Sequence, residues 1–270
     1  MELREERKKK MKNVIIIPPD GTGSKGDEAM VRGALNLYYG SGNIVVFTPR
    51  KQLWKEWIID KSNLFQEKYV PLEKISDEID EPCRLVVIGA DLMDGIFDSQ
   101  SVLYRLNAAE KVIALGGEAE VISCSFRDDV NSEILDKIKS VGPSLKWYLR
   151  DKMSLKNFEA QTGLQGVYFP DLAFQYDEEN NARTEEILNS LDTEKQSGRL
   201  ILGINICEHS FRGFYNNTTK DERQEYIYKF AQNIVDIFGD ACYVLISNDV
   251  RKWENHWSDM DFLKYVEKYL

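Results

Sequence analysis

Histidine is almost missing from this chain: its 270 residues hold two, His209 and His256. The one local metal-like grouping is Cys207-Glu208-His209, in which only positions 207 and 209 share a strand face. That spacing does not make a zinc set, and no metal is expected. Cysteine is scarce as well. Cys83, Cys124, Cys207 and Cys242 lie far apart with no CxxC pair, each beside a β-rich apolar run, and they read as buried, reduced, small hydrophobes. There is no GxSxG elbow, which leaves a serine hydrolase without support, and no GxxxxGK[ST] phosphate loop. No run approaches ~18 uninterrupted apolar residues, so no membrane span is expected. The start of the chain, residues 1–12, carries six Lys/Arg and three Glu around no apolar stretch, and reads as a basic tail rather than an export signal. Without such a signal, the N-x-[ST] matches at Asn216 and Asn217 are chance. The expected location is cytoplasmic, with peripheral attachment at the inner membrane surface as the alternative that the basic tail allows.

What is present is an acidic, well-filled globular chain. A net charge of −10, spread diffusely, excludes a nucleic-acid backbone as the main partner, because such proteins need clustered Lys/Arg. A hydrophobic content of 43% supports a real core, and the length suits one large domain or two ordinary ones. Apolar runs at 14–17, 44–47, 85–88, 121–126, 145–149 and 166–169 read as strands. Helical patterns at 28–39, around 52–60, and at 99–115, 129–140 and 151–161 fall between them. In the segment 99–115 the apolar residues recur at 102, 103, 106, 109, 112, 113 and 115, and Gly116-Gly117 supplies the stop. Strict alternation of strand and helix predicts an α/β fold with a Rossmann-like parallel sheet over residues 13–174. Residues 175–198 read as a linker holding one short helix. Residues 199–270 then open a second Rossmann-like unit: strand 200–207, helix 221–238, strand 243–247 and helix 259–270. Two strands make a poor sheet alone, and self-association into a homo-oligomer is an expected consequence.

Five places could carry chemistry. The turn after the first strand contains Gly21, Gly23, Ser24, Lys25 and Gly26, with Asp27 and Glu28 at the helix start. Its glycines permit tight backbone geometry, and a strand–turn–helix aims N–H groups and a helix dipole at an anion. The alternative is a plain helix start with an acidic cap. Asp94-Gly95 follows strand 85–88, where ligands sit in a parallel sheet, unless Asp94 is only a solvated turn residue. Ser125 ends the next strand, followed by Arg127 and by Asp129, which could cap a helix. After the strand at 145–149, Arg150 offers a fork of donors for carboxylate or phosphate, whereas Asp151 and Ser154 have the spacing of a helix cap. Pro170-Asp171-Leu172-Ala173-Phe174 closes the first half.

Taken in order, Gly26-Asp27-Glu28-Ala29, Asp94-Gly95, Ser125, Arg150-Asp151-Lys152-Met153-Ser154 and Pro170-Asp171-Leu172-Ala173-Phe174 resemble the polysaccharide pyruvyl transferase family. The second-half strand Leu202-Gly203-Ile204-Asn205 is also similar to that family's re-entry strand. The resemblance implies a two-domain, GT-B-like architecture. It implies transfer of the pyruvyl group of phosphoenolpyruvate, as donor substrate and with no cofactor, onto two hydroxyls of a saccharide. The acceptor would be lipid-linked or otherwise activated, on its way to a surface polysaccharide. Under it Arg150 contacts the donor anion, and Asp27 and Asp94 contact sugar hydroxyls or shape the crevice. Gly23, Ser24, Lys25, Gly26, Glu28, Gly95, Ser125 and Asp171 line the substrate site.

The chain departs from the family in two ways. Where family members carry a Pro-His pair after a second-domain strand, this chain has Asn248-Asp249, and an asparagine is no general acid near neutral pH. His256 lies eight residues further on. The sequence also stops at Leu270, ahead of the family's later elements, so an incomplete second domain is expected. Two other readings use the same fold: a GT-B-like glycosyltransferase acting on a nucleotide sugar, and a non-catalytic saccharide-binding protein.

Overall fold

A strand buried on both faces can be apolar at every position, and that is how this sheet is built. The computed structural model describes residues 11–51, 53–176, 182–206, 219–251 and 258–270. Residues 1–10, Cys207, Glu208, His209, Asn216, Asn217, Trp253, His256 and Trp257 lie outside them, as does the polar run 177–181 within the expected linker. Seven strands, β1 (Asn13–Ile17), β2 (Asn43–Thr48), β3 (Phe65–Tyr69), β4 (Arg84–Ala90), β5 (Glu118–Cys124), β6 (Lys146–Leu149) and β7 (Val167–Tyr168), form one all-parallel sheet. Their order is β3-β2-β1-β4-β5-β6-β7. The helices between them are α1 (Lys25–Tyr38), α2 (Trp54–Trp57), α3 (Ser99–Ala114), α4 (Ser132–Val141) and α5 (Lys152–Thr162). In β1, Val14 and Ile16 pack into one core with α1, whereas Ile15 and Ile17 pack into the other with α3 and α4. This period of two puts helices on both faces.

The expected α/β, Rossmann-like class is therefore the observed one. The order is that of a Rossmann sheet with one added strand, and it reverses direction between β1 and β4. Several element expectations need correction. β3 reads Phe-Gln-Glu-Lys-Tyr and was not expected as a strand, because only Phe65 is buried and the charges lie along a sheet edge. α4 starts at 132, capped by Asn131, whose side chain accepts from Glu133 N–H at 2.8 Å. Asp129 is no cap; it lies 3.2 Å from Arg127. α1 begins three residues before the expected start at 28. The segment taken as a linker holds a helix of 15 residues, α6 (Ala182–Gln196), with no buried residue.

The chain divides into two compact units, one of Met1–Thr22 with Gly26–Asp177, the other of Gly23–Lys25 with Glu178–Leu270. In the second, β8 (Ile201–Asn205) pairs in parallel with β9 (Cys242–Ile246), packed by α7 (Lys220–Phe238) and α8 (Asp259–Val266). Reciprocal Thr219–Glu222 and Ser258–Asp261 capping boxes start both helices. Their apolar stripes meet at Ile227, Ala231, Phe262 and Leu263. Where one helix was expected to residue 270, a 3-10 turn, Glu267–Tyr269, follows α8. Cys83, Cys124 and Cys242 are free thiols; Cys83 and Cys124 are buried, but Cys242 is half-buried. No helix among the described residues is long and apolar enough to cross a membrane.

Gly33, midway along α1, fixes how that helix sits on the segment after β7. A Cβ there would stand 1.9 Å from the Leu172 carbonyl oxygen. In an exposed helix Gly→Ala gains about 1 kcal/mol. Here the clash is with backbone, and overpacking costs about 1–3 kcal/mol or more. Gly33→Ala is expected to be net destabilising in urea denaturation, the reverse of the helix-propensity sign.

Candidate functional site

In an open parallel sheet the helices all leave from one edge, and the loops at the strands' carboxyl ends converge there. Five of those exits, after β1, β4, β5, β6 and β7, hold residues picked out from the sequence. Two of the strands end in left-handed backbone that is not glycine: Ala90 at φ +46° and Ser123 at φ +58°. Such conformations cost of order 1–3 kcal/mol each and persist only where the surroundings hold them. Here Ser125 N–H donates to the Ala90 carbonyl at 2.6 Å, and Arg150 N–H donates to the Cys124 carbonyl at 3.0 Å. Phe169 N–H reaches the Leu149 carbonyl, also at 3.0 Å. The ladder thus runs past the formal strand ends and carries the exits of β4, β5, β6 and β7 side by side.

On that edge Ser125, Arg150 and Asp171 meet. Arg150 Nε donates to Ser125 Oγ at 2.7 Å and its Nη1 to Asp171 Oδ2 at 3.0 Å. Asp171 is itself held, its Oδ1 accepting from Ala173 N–H at 2.9 Å. The Leu172 N–H donates to the buried Ser123 hydroxyl at 3.1 Å, tying the same loop back to β5. Arg150 is partly exposed, so a guanidinium fixed on two sides still faces solvent. Fixing the fork beforehand lowers the entropic cost of gripping a planar anion.

Asp94 is not a solvated turn residue. It is buried, its Oδ2 accepts from Arg127 Nε at 2.9 Å and its Oδ1 from Ile96 N–H at 3.1 Å. Its neighbour Gly95 makes the turn at φ +76°. Asp94 therefore holds Arg127 in place at the exit of β5. Arg127 was not singled out from sequence, although its place two residues beyond Ser125 was the available signal.

The glycine-rich turn divides. Within the second unit, Lys25 N–H donates to the Asn248 carbonyl and Val250 N–H to the Gly23 carbonyl, both at 2.8 Å. Ser24 forms an antiparallel bridge with Asp249. Gly23 has φ +106°, which requires glycine. The Lys25 amide is thus occupied by a backbone carbonyl, so the expected cradle of free N–H groups at 23–25 loses that donor. Gly26 is exposed and Asp27 half-buried in the first turn of α1, where a carboxylate suits the helix dipole. Glu28 is buried, accepting from Arg32 Nε at 3.0 Å and from Trp57 Nε1. Arg32 also meets Asp60 at 2.6 Å. These contacts engage Glu28 in the packing of α1 on α2.

Asp151 is the cap that its spacing suggested: Ser154 N–H and Ser154 Oγ each donate to it at 2.7 Å. Burial alone would push its carboxyl up. Hydrogen bonds from Ser154 and the Met153 N–H, with the Arg150 charge, outweigh that and hold it below the usual carboxylate range. In the second unit a cavity of about 790 Å³ lies beside β9, lined by apolar residues such as Val235 and Leu263 and by the charged Arg199, Asp240, Lys264 and Glu267. None of the residues predicted from sequence lines it. Among the described residues, no group of three or more His, Cys, Asp or Glu could hold a metal ion.

No protein-family model matches the chain. No curated protein matches it. Among solved structures it is similar to a candidate UDP-N-acetylglucosamine 2-epimerase from Listeria monocytogenes, with a TM-score of 0.53, 11% identity and 96% of this chain covered. The chain spans 66% of that structure's length, a little under two thirds. A short-chain dehydrogenase from Streptomyces avermitilis matches 78% of this chain and all of its own at 10% identity, but its TM-score of 0.33 carries no argument. The likeness to the first is one of fold, and it agrees with two Rossmann-like units in GT-B-like succession.

Asp151→Ala is expected to cost about 1 kcal/mol at neutral pH, the usual worth of a helix cap. Because the folded-state carboxyl titrates below its unfolded value of about 3.9, the stabilisation is present above that value. It is lost as the pH falls through the lower, folded value. Urea midpoints of wild type and variant, measured from pH 7 downward, should converge in acid.

Proposed function

We propose that the protein is a saccharide-modifying transferase of the pyruvyl-transfer kind, using phosphoenolpyruvate as donor. The observation that carries this reading is the convergence of Ser125, Arg150 and Asp171, from three separate strand exits, into one hydrogen-bonded cluster. These are the positions at which the sequence resembles the polysaccharide pyruvyl transferase family. The GT-B-like fold supports the reading, as does the saccharide named for the Listeria structure, a UDP-N-acetylglucosamine epimerase candidate.

In the proposed reaction, C2 of the donor forms bonds to two sugar oxygens and its bond to the phosphate oxygen breaks. The enol carbon C3 takes up one proton to become a methyl group. The two hydroxyls release two protons, one balancing C3 and the other leaving with inorganic phosphate. Arg150, held by Ser125 and Asp171, contacts the donor anion and stabilises charge on the departing group. Arg127, held by Asp94, borders the same strand exit, so Asp94 acts as a positioning residue. Asp27, at the start of α1, accepts hydrogen bonds from the acceptor's hydroxyls. The acceptor is a lipid-linked or otherwise activated saccharide.

Incubation with phosphoenolpyruvate and candidate saccharides is expected to release inorganic phosphate only when both are present. Arg150→Gln should raise KM for phosphoenolpyruvate at least tenfold, about 1.4 kcal/mol, with an unchanged circular dichroism spectrum. Absence of release, together with tight binding of UDP or GDP, would favour the nucleotide-sugar alternative instead.

A further inference from the structure

We propose that the turn leaving β1, residues 18–22, is a second anion site, and that it receives the phosphate of an activated saccharide. The turn lies beside the switch point between β1 and β4. Beneath it is Arg105 of α3, only 1% exposed. Its Nη2 donates to the carbonyls of Pro19 at 2.5 Å and Pro18 at 3.3 Å, and its Nη1 donates to Ser101. Its Nε has no partner, and among the described residues Arg105 forms no ion pair. A buried cation held only by neutral oxygens is costly, and an anion close by relieves that cost. Burial pulls the guanidinium down to about 10, against the opposing charges of Asp20 and Asp98.

The neighbouring carboxylates are both engaged by other groups. Both oxygens of Asp20 accept from Arg50, from Nε at 2.8 Å and Nη2 at 3.0 Å. Asp98 is engaged as the cap of α3, accepting from Gln100 N–H. Gly21, beside the Arg50 side chain, is buried, and its backbone N–H makes no hydrogen bond among the described residues. An unpaired N–H in a turn whose carbonyls a buried guanidinium holds offers a donor to an oxyanion.

The separation of the two sites selects the ligand, and this step rests on the proposed function. The turn and the exit of β5, where Arg150 meets Ser125, are two strand spacings apart, about 10 Å. A three-carbon donor does not span both. A donor at Arg150 and the phosphate of a nucleotide-linked or lipid-linked sugar at the turn fit the same edge together.

The test is titration of the ¹⁵N-labelled protein with inorganic phosphate, a sugar 1-phosphate and UDP, following the Gly21 amide resonance. Saturable movement is expected, with the sugar phosphate binding more tightly than inorganic phosphate. Arg105→Met should weaken binding at least tenfold. Should that variant fail to fold, Arg50→Gln, on a half-exposed side chain, unmasks Asp20 and should also weaken binding about tenfold. Adding Asp20→Asn to Arg50→Gln should restore it. A Gly21 resonance that no probe moves, or an Arg50→Gln variant that binds like wild type, would overturn the site. Equal affinity for phosphate and sugar phosphate would overturn the saccharide assignment. Tighter binding of UDP than of the sugar phosphate would assign the turn to a nucleotide-linked sugar. Phosphate binding at Gly21 without donor-dependent phosphate release sinks only the pyruvyl reading; turnover with an unmoved Gly21 sinks only this site.

Discussion

The Arg150 guanidinium, shared between Ser125 and Asp171, is the contact on which the rest of the sheet edge depends. It joins the exits of β5, β6 and β7, which are separated by up to 46 residues in sequence, counting from 125 to 171. The contact exists because the backbone ladder continues beyond the strands and because Ala90 and Ser123 accept left-handed conformations. Those two residues turn the ends of β4 and β5 so that Ser125 faces Arg150, and Ser123 also anchors Leu172. The close approach of Gly33 to Leu172 then fixes α1 against the same loop. Strain at the strand ends and tight packing behind them are two sides of one arrangement.

Much of the fold was legible because both faces of the sheet are covered. The continuous apolar runs at β1, β4 and β5 announce buried parallel strands, and Gly116, Gly163 and Gly239, each with positive φ, mark helix ends. What escaped lies at the margins. β3 is a charged edge strand whose only buried residue is Phe65, so it carries no apolar pattern. α6 has no buried residue, so no amphipathic stripe distinguishes it from a linker. Asn131 and Asp129 are both plausible caps by residue type, and only the geometry decides between them.

The site was legible as a set of positions, less so as roles. Arg150, Ser125 and Asp171 were separate motifs whose contact no spacing rule could predict. Asp94 and Glu28 look alike in sequence, each an acidic residue near a strand exit or helix start. In the fold they are buried carboxylates whose work is to hold Arg127 and Arg32. Arg105 gave no signal at all, because an arginine on the apolar-patterned α3 reads as a surface residue until the turn above it is seen. Burial of a charge is a tertiary property, and sequence pattern alone does not carry it.

The central claim is that Ser125, Arg150 and Asp171 work as one anion-binding unit. A double-mutant cycle measured by calorimetry with phosphoenolpyruvate tests it most directly. If Asp171 acts by holding Arg150, then Asp171→Asn and Arg150→Gln should each weaken binding, and the double variant should bind no worse than the weaker single one. Additive losses, or wild-type affinity in Arg150→Gln, would contradict the account.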